Sequence, residues 1–131
     1  MAVHPTDAAW QPDDLDPIVR VLGAFRTLDP DLPIQYALSF LTIAQNEGLS
    51  IRDLSERLGI AQSSASRNVA ALSKWHSFGK AGHDLVQAEE DPRERRRKII
   101  TLTDKGRELA RQLADLLDPP QADTPAQRRR A

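Results

Sequence analysis

Five cations stand within six positions of this chain: Arg93, Arg95, Arg96, Arg97 and Lys98. Such a cluster neutralises phosphate, and arginine is drawn to the negative potential of a narrow A·T minor groove. A turn kept soluble by charge needs fewer. Asp91 and Glu94, set among them, can pair with neighbouring arginines and fix their direction. A second set of side chains lies upstream, in Gln62-Ser63-Ser64-Ala65-Ser66-Arg67-Asn68-Val69. If Ala65, Val69 and Leu72 form the buried side of a helix, then Gln62, Ser63, Ser66 and Arg67 face outward at its start. Glutamine can read adenine, arginine can read guanine, and serine can bond to phosphate or base. The free amides of a helix start also attract phosphate. Serine is common at ordinary helix starts, so the conjunction of the two sets points to duplex DNA more strongly than either does.

Overall charge hides this. The chain has 131 residues and a formal net charge of −1. Residues 1–61 hold four basic and nine acidic side chains, whereas residues 62–107 hold ten basic and six acidic. Local charge decides where a phosphate backbone docks. Other chemistries lack their parts. There is no cysteine, which excludes a disulfide scaffold, a zinc–thiolate site and a thiol switch. His76, His83 and Asp84 have no metal-ligand spacing, so no metal and no cofactor is expected. With no glycine-rich phosphate loop and no serine elbow, the chain is not read as an enzyme. No apolar run reaches membrane-spanning length, and no signal sequence is visible at Met1–Trp10. The expectation is a cytoplasmic protein.

The elements that must position these residues follow from punctuation and period. Residues 1–16 read as a loose arm. Pro17 suits a first helical turn, with Ile18, Leu22 and Phe25 on one face of a helix to Leu28. Asp29-Pro30-Asp31 breaks the chain. A second helix is expected over 33–47. Ile34, Ala37, Leu38 and Leu41 make one apolar stripe and Tyr36, Phe40 and Ile43 another, a pattern expected of a central, buried helix. Ser50 caps a short helix carrying Ile51, Leu54 and Leu58. Gly59 interrupts it before the helix that begins at Gln62, and Ser77–Gly82 reads as loop. Strands are expected over 84–89 and 98–102, joined by the charged connection 90–97 as a hairpin with a basic tip. Trp75, His76 and Phe78 are expected to pack onto the domain, since aromatics dominate burial. Thr103 caps a last helix, 104–117, and Pro119-Pro120 stops it. The predicted class is mainly α with one β-hairpin, ordered α-α-α-α-β-β-α.

At this point the sequence resembles the MarR family of bacterial winged-helix regulators. The matching residues are Leu58-Gly59-Ile60 and Ser63-Ser64-Ala65-Ser66-Arg67, with Val69 and Leu72. More specific is Asp91-Pro92-Arg93-Glu94-Arg95-Arg96, leading through Ile99-Ile100 to Leu102-Thr103-Asp104-Lys105-Gly106. The segment Lys74–His83 is longer than the family pattern, and either extends the recognition helix or forms a loop before the wing. The resemblance implies a homodimer associating through its terminal helices, with one recognition helix and one wing on each half of a palindromic operator. Carried onto this chain, the recognition-helix readers are Gln62, Ser63, Ser64, Ser66 and Arg67. The wing readers are Arg93, Arg95 and Arg96. The implied dimer surface draws on Ile18, Leu22, Phe25, Leu109, Leu113, Leu116 and Leu117.

The reading is therefore a flexible arm (1–16), a winged helix-turn-helix domain (17–117) and a disordered basic-ended tail (118–131). Its expected function is sequence-specific binding of double-stranded DNA as a dimeric transcriptional regulator, acting as a repressor. The resemblance also raises a small-molecule effector, for which the sequence offers no clear ligand-orienting set. The alternative is a winged-helix protein–protein module, such as a replication adaptor or a phage-encoded inhibitor of a host factor, using the acidic N-terminal half.

Overall fold

The computed structural model of the protein describes residues 9–75 and 80–117. The expectations for the first eight residues, for His76 and Phe78, and for the tail from residue 118 lie outside them. The element order is the one predicted: α1 (Asp16–Leu28), α2 (Ile34–Gln45), α3 (Ile51–Leu58), α4 (Gln62–Leu72), β1 (Val86–Asp91), β2 (Glu94–Leu102) and α5 (Asp104–Leu117). The chain divides into two compact units, one of Met1–Pro30 with Leu113–Ala131, the other of Asp31–Gln112. Among the described residues, no helix is long and apolar enough to cross a membrane.

In the first unit, residues expected in the arm form a 3-10 turn, Pro12–Leu15. The Gln11 amide donates to Asp14 Oδ2 at 2.8 Å, closing the turn just before α1. Pro17 occupies the first turn of α1, where a missing N–H costs nothing. Phe25 is buried, while Ile18, Val19 and Leu22 are exposed.

In the second unit, α2, α3 and α4 pack on one another around Phe40, Ile43, Leu54, Ala65, Val69 and Leu72, and Ile100 and Leu102 of β2 belong to the same core. Burying side chains of this size stabilises by about 1.5–3 kcal/mol each. The double-stripe reading of α2 needs correction. Ala37, Phe40 and Ile43 are buried, but Ile34 is 66% and Leu38 49% exposed. One face of α2 meets the core; the other, although apolar, does not. The helix also stops at Gln45, two residues short of the expected end, because Asn46 leaves helical geometry (φ −142°, ψ 57°).

Between α2 and α3 the main chain joins the sheet. Gly48 N donates to Ile100 O at 2.8 Å, and Ile100 N donates to Leu49 O at 2.9 Å. Leu49 thus forms a one-residue bridge on β2. After α4 the chain turns back along that helix's end. Gly82 N reaches Lys74 O, His83 N reaches Ala71 O, Asp84 N reaches Ser73 O and Leu85 N reaches Leu72 O, at 2.7 to 3.1 Å. These amides satisfy carbonyls that a helix end leaves open. Of the two expectations for Lys74–His83, helix extension is excluded: α4 ends at Leu72. Trp75 does not pack inward as predicted; it is 63% exposed, standing where its backbone bridges to Ala81.

Candidate nucleic-acid interface

Helix α3 opens with a capping box. Ser50 Oγ accepts from Asp53 N, and Asp53 Oδ2 accepts from Ser50 N, both at 3.1 Å. Gly59 ends the helix in the left-handed conformation (φ 68°), and Ile60 N returns to Ser55 O. The chain then re-enters helix at Gln62. Helix α5 is capped likewise, by Thr103 Oγ1 accepting from Gly106 N at 3.0 Å.

Helix α4 differs. Its N-cap is Ala61, which has no side-chain acceptor to offer. The start of α4 keeps its positive end for whatever approaches it. The predicted geometry holds around it. Ala65, Val69 and Leu72 are buried; Gln62, Ser63, Ser66 and Arg67 are exposed, and Ser64 is half-buried. Ser64 Oγ accepts from an Arg67 guanidinium nitrogen at 3.4 Å, a weak tether along one turn. Behind this surface Asn68 Nδ2 donates to Ser39 Oγ of α2 at 3.0 Å, with both residues buried. This bond ties the recognition-type helix to α2. The sequence reading missed Asn68, and only its place on the inner face of the helix could have signalled it.

The hairpin is longer than predicted. β1 pairs antiparallel with β2 from Val86↔Leu102 to Glu90↔Lys98, and after an irregularity the two close at Asp91↔Glu94 around Pro92-Arg93. The predicted charged connection 90–97 is thus largely strand. Arginine carries no strong strand signal of its own, and the pairing comes from the partner strand. Asp91 Oδ1 accepts from the Arg93 amide at 2.9 Å, which sets the turn. Arg93, Arg95, Arg96 and Lys98 are exposed. Among the described residues, none of these four forms an ion pair. Arg97 is different. Its guanidinium lies 3.2 Å from Asp53 Oδ2 of α3 and 3.8 Å from Asp91 Oδ2. Of the acids expected to orient the cluster, Asp91 does so, through the Arg93 amide and Arg97.

The root of the hairpin is fastened by Glu47. Its carboxylate accepts from Leu102 N at 2.8 Å and from both terminal nitrogens of Arg107 at 2.7 and 3.0 Å. Partial burial works to raise the Glu47 pKa, but the Leu102 amide and the Arg107 guanidinium outweigh it and hold the carboxyl below its usual range.

Residues implied for the dimer surface divide by exposure. Phe25, Leu109 and Leu113 are buried within the chain, Leu116 is half-buried, and Ile18, Leu22 and Leu117 are exposed.

Comparison with known proteins agrees with this anatomy. The family described as winged helix-turn-helix DNA-binding matches residues 41–74, from within α2 to just past α4. No curated protein sequence matches the chain. Among solved structures, RV1404 from Mycobacterium tuberculosis is similar over 98% of this chain and 88% of its own, with a TM-score of 0.67 and 20% identity. FabT from Streptococcus pneumoniae, crystallised in complex with DNA, is similar over 81% of this chain and 68% of its own (TM-score 0.62, 13% identity). A MarR-like transcriptional regulator from Thermotoga maritima is similar over 81% and 74% (TM-score 0.58, 20% identity). The chain has the winged helix-turn-helix fold of the MarR-like regulators.

Proposed function

We propose that this protein binds double-stranded DNA sequence-specifically and regulates transcription as a homodimer, repressing by occupying an operator and excluding polymerase. The observation that carries the reading is one compact unit bearing both an uncapped, exposed helix start at Gln62–Arg67 and the unpaired arginines 93, 95 and 96. In this reading the start of α4 enters the major groove. Gln62 and Arg67 address base edges; Ser63, Ser64 and Ser66 bond to phosphate or base. The wing arginines take phosphates and the flanking minor groove. The DNA-bound FabT structure makes duplex DNA the first partner to test. Two copies associate through the exposed apolar residues Ile18, Leu22 and Leu117, with Phe25, Leu109, Leu113 and Leu116 supporting that surface from within.

In vitro selection from a random duplex library with the purified chain tests this directly. The expected result is a palindromic consensus, bound with strong salt dependence. No enrichment, or binding indifferent to salt, overturns it.

A further inference from the structure

Arg97 belongs by sequence to the basic run, yet its surroundings set it apart. Two carboxylates face its guanidinium, from Asp53 on α3 and from Asp91 on the wing itself. Asp53 Oδ2 is shared: it accepts from Ser50 N at 3.1 Å and from Arg97 at 3.2 Å. The Ser50 amide above all, with help from the Ser50 hydroxyl and Arg97, holds the Asp53 carboxyl below its usual range, so it is charged at neutral pH. One oxygen therefore connects the first turn of the helix-turn-helix to the irregular stretch of β2, where the ladder between Glu90↔Lys98 and Asp91↔Glu94 is interrupted. The wing has least backbone support there, and a side-chain brace has most to add.

We infer that Arg97 is a positioning residue rather than a DNA contact: with Asp53 it braces the wing against α3, and so sets where Arg93, Arg95 and Arg96 meet the duplex. This rests on the DNA-binding reading for its affinity consequence, but the brace exists in the free protein. Exposed ion pairs contribute little to global stability. The effect belongs in wing placement instead, where a small displacement changes which phosphates are reached.

The sign of one substitution separates the alternatives. Asp53→Asn removes a negative charge near the wing. If electrostatics alone mattered, it would tighten DNA binding; if Asp53 braces Arg97, it weakens it. Asparagine keeps an oxygen for the Ser50 amide, so the start of α3 survives.

The experiment compares Arg97→Gln, Asp53→Asn, the double variant and Arg96→Gln on the duplex selected by the wild-type chain, across a salt series. Expected for Arg96→Gln is a salt slope shallower by about 0.9, one phosphate contact. Arg97→Gln and Asp53→Asn each weaken binding several-fold with the slope unchanged, and the double variant is no worse than either. Amide hydrogen exchange on the free proteins supplies the second arm: wing amides near Asp91–Glu94 exchange faster in Arg97→Gln and Asp53→Asn, and as in wild type in Arg96→Gln. Tighter binding by Asp53→Asn, or a slope loss in Arg97→Gln equal to that of Arg96→Gln, overturns the brace. Unchanged exchange in both brace variants overturns it even if the chain binds no DNA. Accelerated exchange without DNA binding supports the brace and rejects the DNA reading alone.

Discussion

Asn68 and Ser39 are 29 residues apart in the chain, and their side chains meet in a buried hydrogen bond of 3.0 Å between α4 and α2. No buried side-chain nitrogen or oxygen among the described residues lacks a partner, so this bond closes the polar accounting of the helical core. Removing one member strands the other. Asn68→Ala and Ser39→Ala are each expected to lower stability by about 1–3 kcal/mol. The double variant should cost less than the sum, since it leaves no orphan. Urea unfolding of the four proteins checks this; simple additivity would mean the two groups act independently.

Glu47 predicts the form of the acid limb. Its folded pKa is depressed by Leu102 N and Arg107 against the opposing effect of burial. The stability it contributes is therefore full above the ordinary glutamate range and lost as pH falls through the lowered folded value. Arg107 is 50% exposed and Glu47 29%, so solvent screens the pair, and Glu47→Gln should cost only about 1 kcal/mol near neutral pH. The difference between wild type and variant should shrink on acidification. Denaturant midpoints from neutral pH down to acid would show convergence; a constant gap contradicts the assignment.

Gly106 sits where α5 crosses the strand entry. A Cβ there would lie 2.0 Å from the Leu85 carbonyl oxygen, and that atom is main chain and cannot swing aside. Gly106→Ala should destabilise by about 1–3 kcal/mol or more, through overpacking. It should also disturb Leu85, whose carbonyl accepts from Thr103 N. Thermal unfolding measures the loss, and a wild-type melting temperature would rule the close approach out.

Arg67→Ala and Arg96→Ala should differ in kind. The first is expected to lose about 1–3 kcal/mol of discrimination between the selected duplex and a scrambled one. The second should weaken both duplexes alike and flatten the salt dependence. Fluorescence anisotropy with the two duplexes at several salt concentrations distinguishes them; matching behaviour would remove the division between base and phosphate roles.

Local signals carried much of this. Pro17, the Ser50 cap, Gly59 and the Thr103 cap each mark an element boundary through chemistry confined to one turn of chain, and each boundary stands where those residues put it. The exposed face of α4 follows from the spacing of Ala65, Val69 and Leu72. What was illegible is non-local. Ile34 and Leu38 look as apolar as Phe40 and Ile43, and only the placement of α3 and α4 decides which face of α2 is covered. The strand character of Arg95–Arg97 is conferred across the hairpin. Arg97 is one cation among five until Asp53, 44 residues earlier, is brought beside it. Nothing within the run could have distinguished it.

The backbone pairing of Leu85 N with Leu72 O, at 2.7 Å, has a consequence for how such a molecule can vary. The clasp of Gly82 on Lys74 and Leu85 on Leu72 joins the recognition-type helix to the wing in space, whatever length of chain runs between. Gly82 makes the clasp feasible, because a Cβ there would lie 1.9 Å from Ser73 O. Sequence distance and spatial distance are thereby uncoupled. Residues can be added or removed in the excursion that leaves at Trp75 and returns at Ala81, while the helix and the arginine-bearing hairpin keep the same spacing along a duplex.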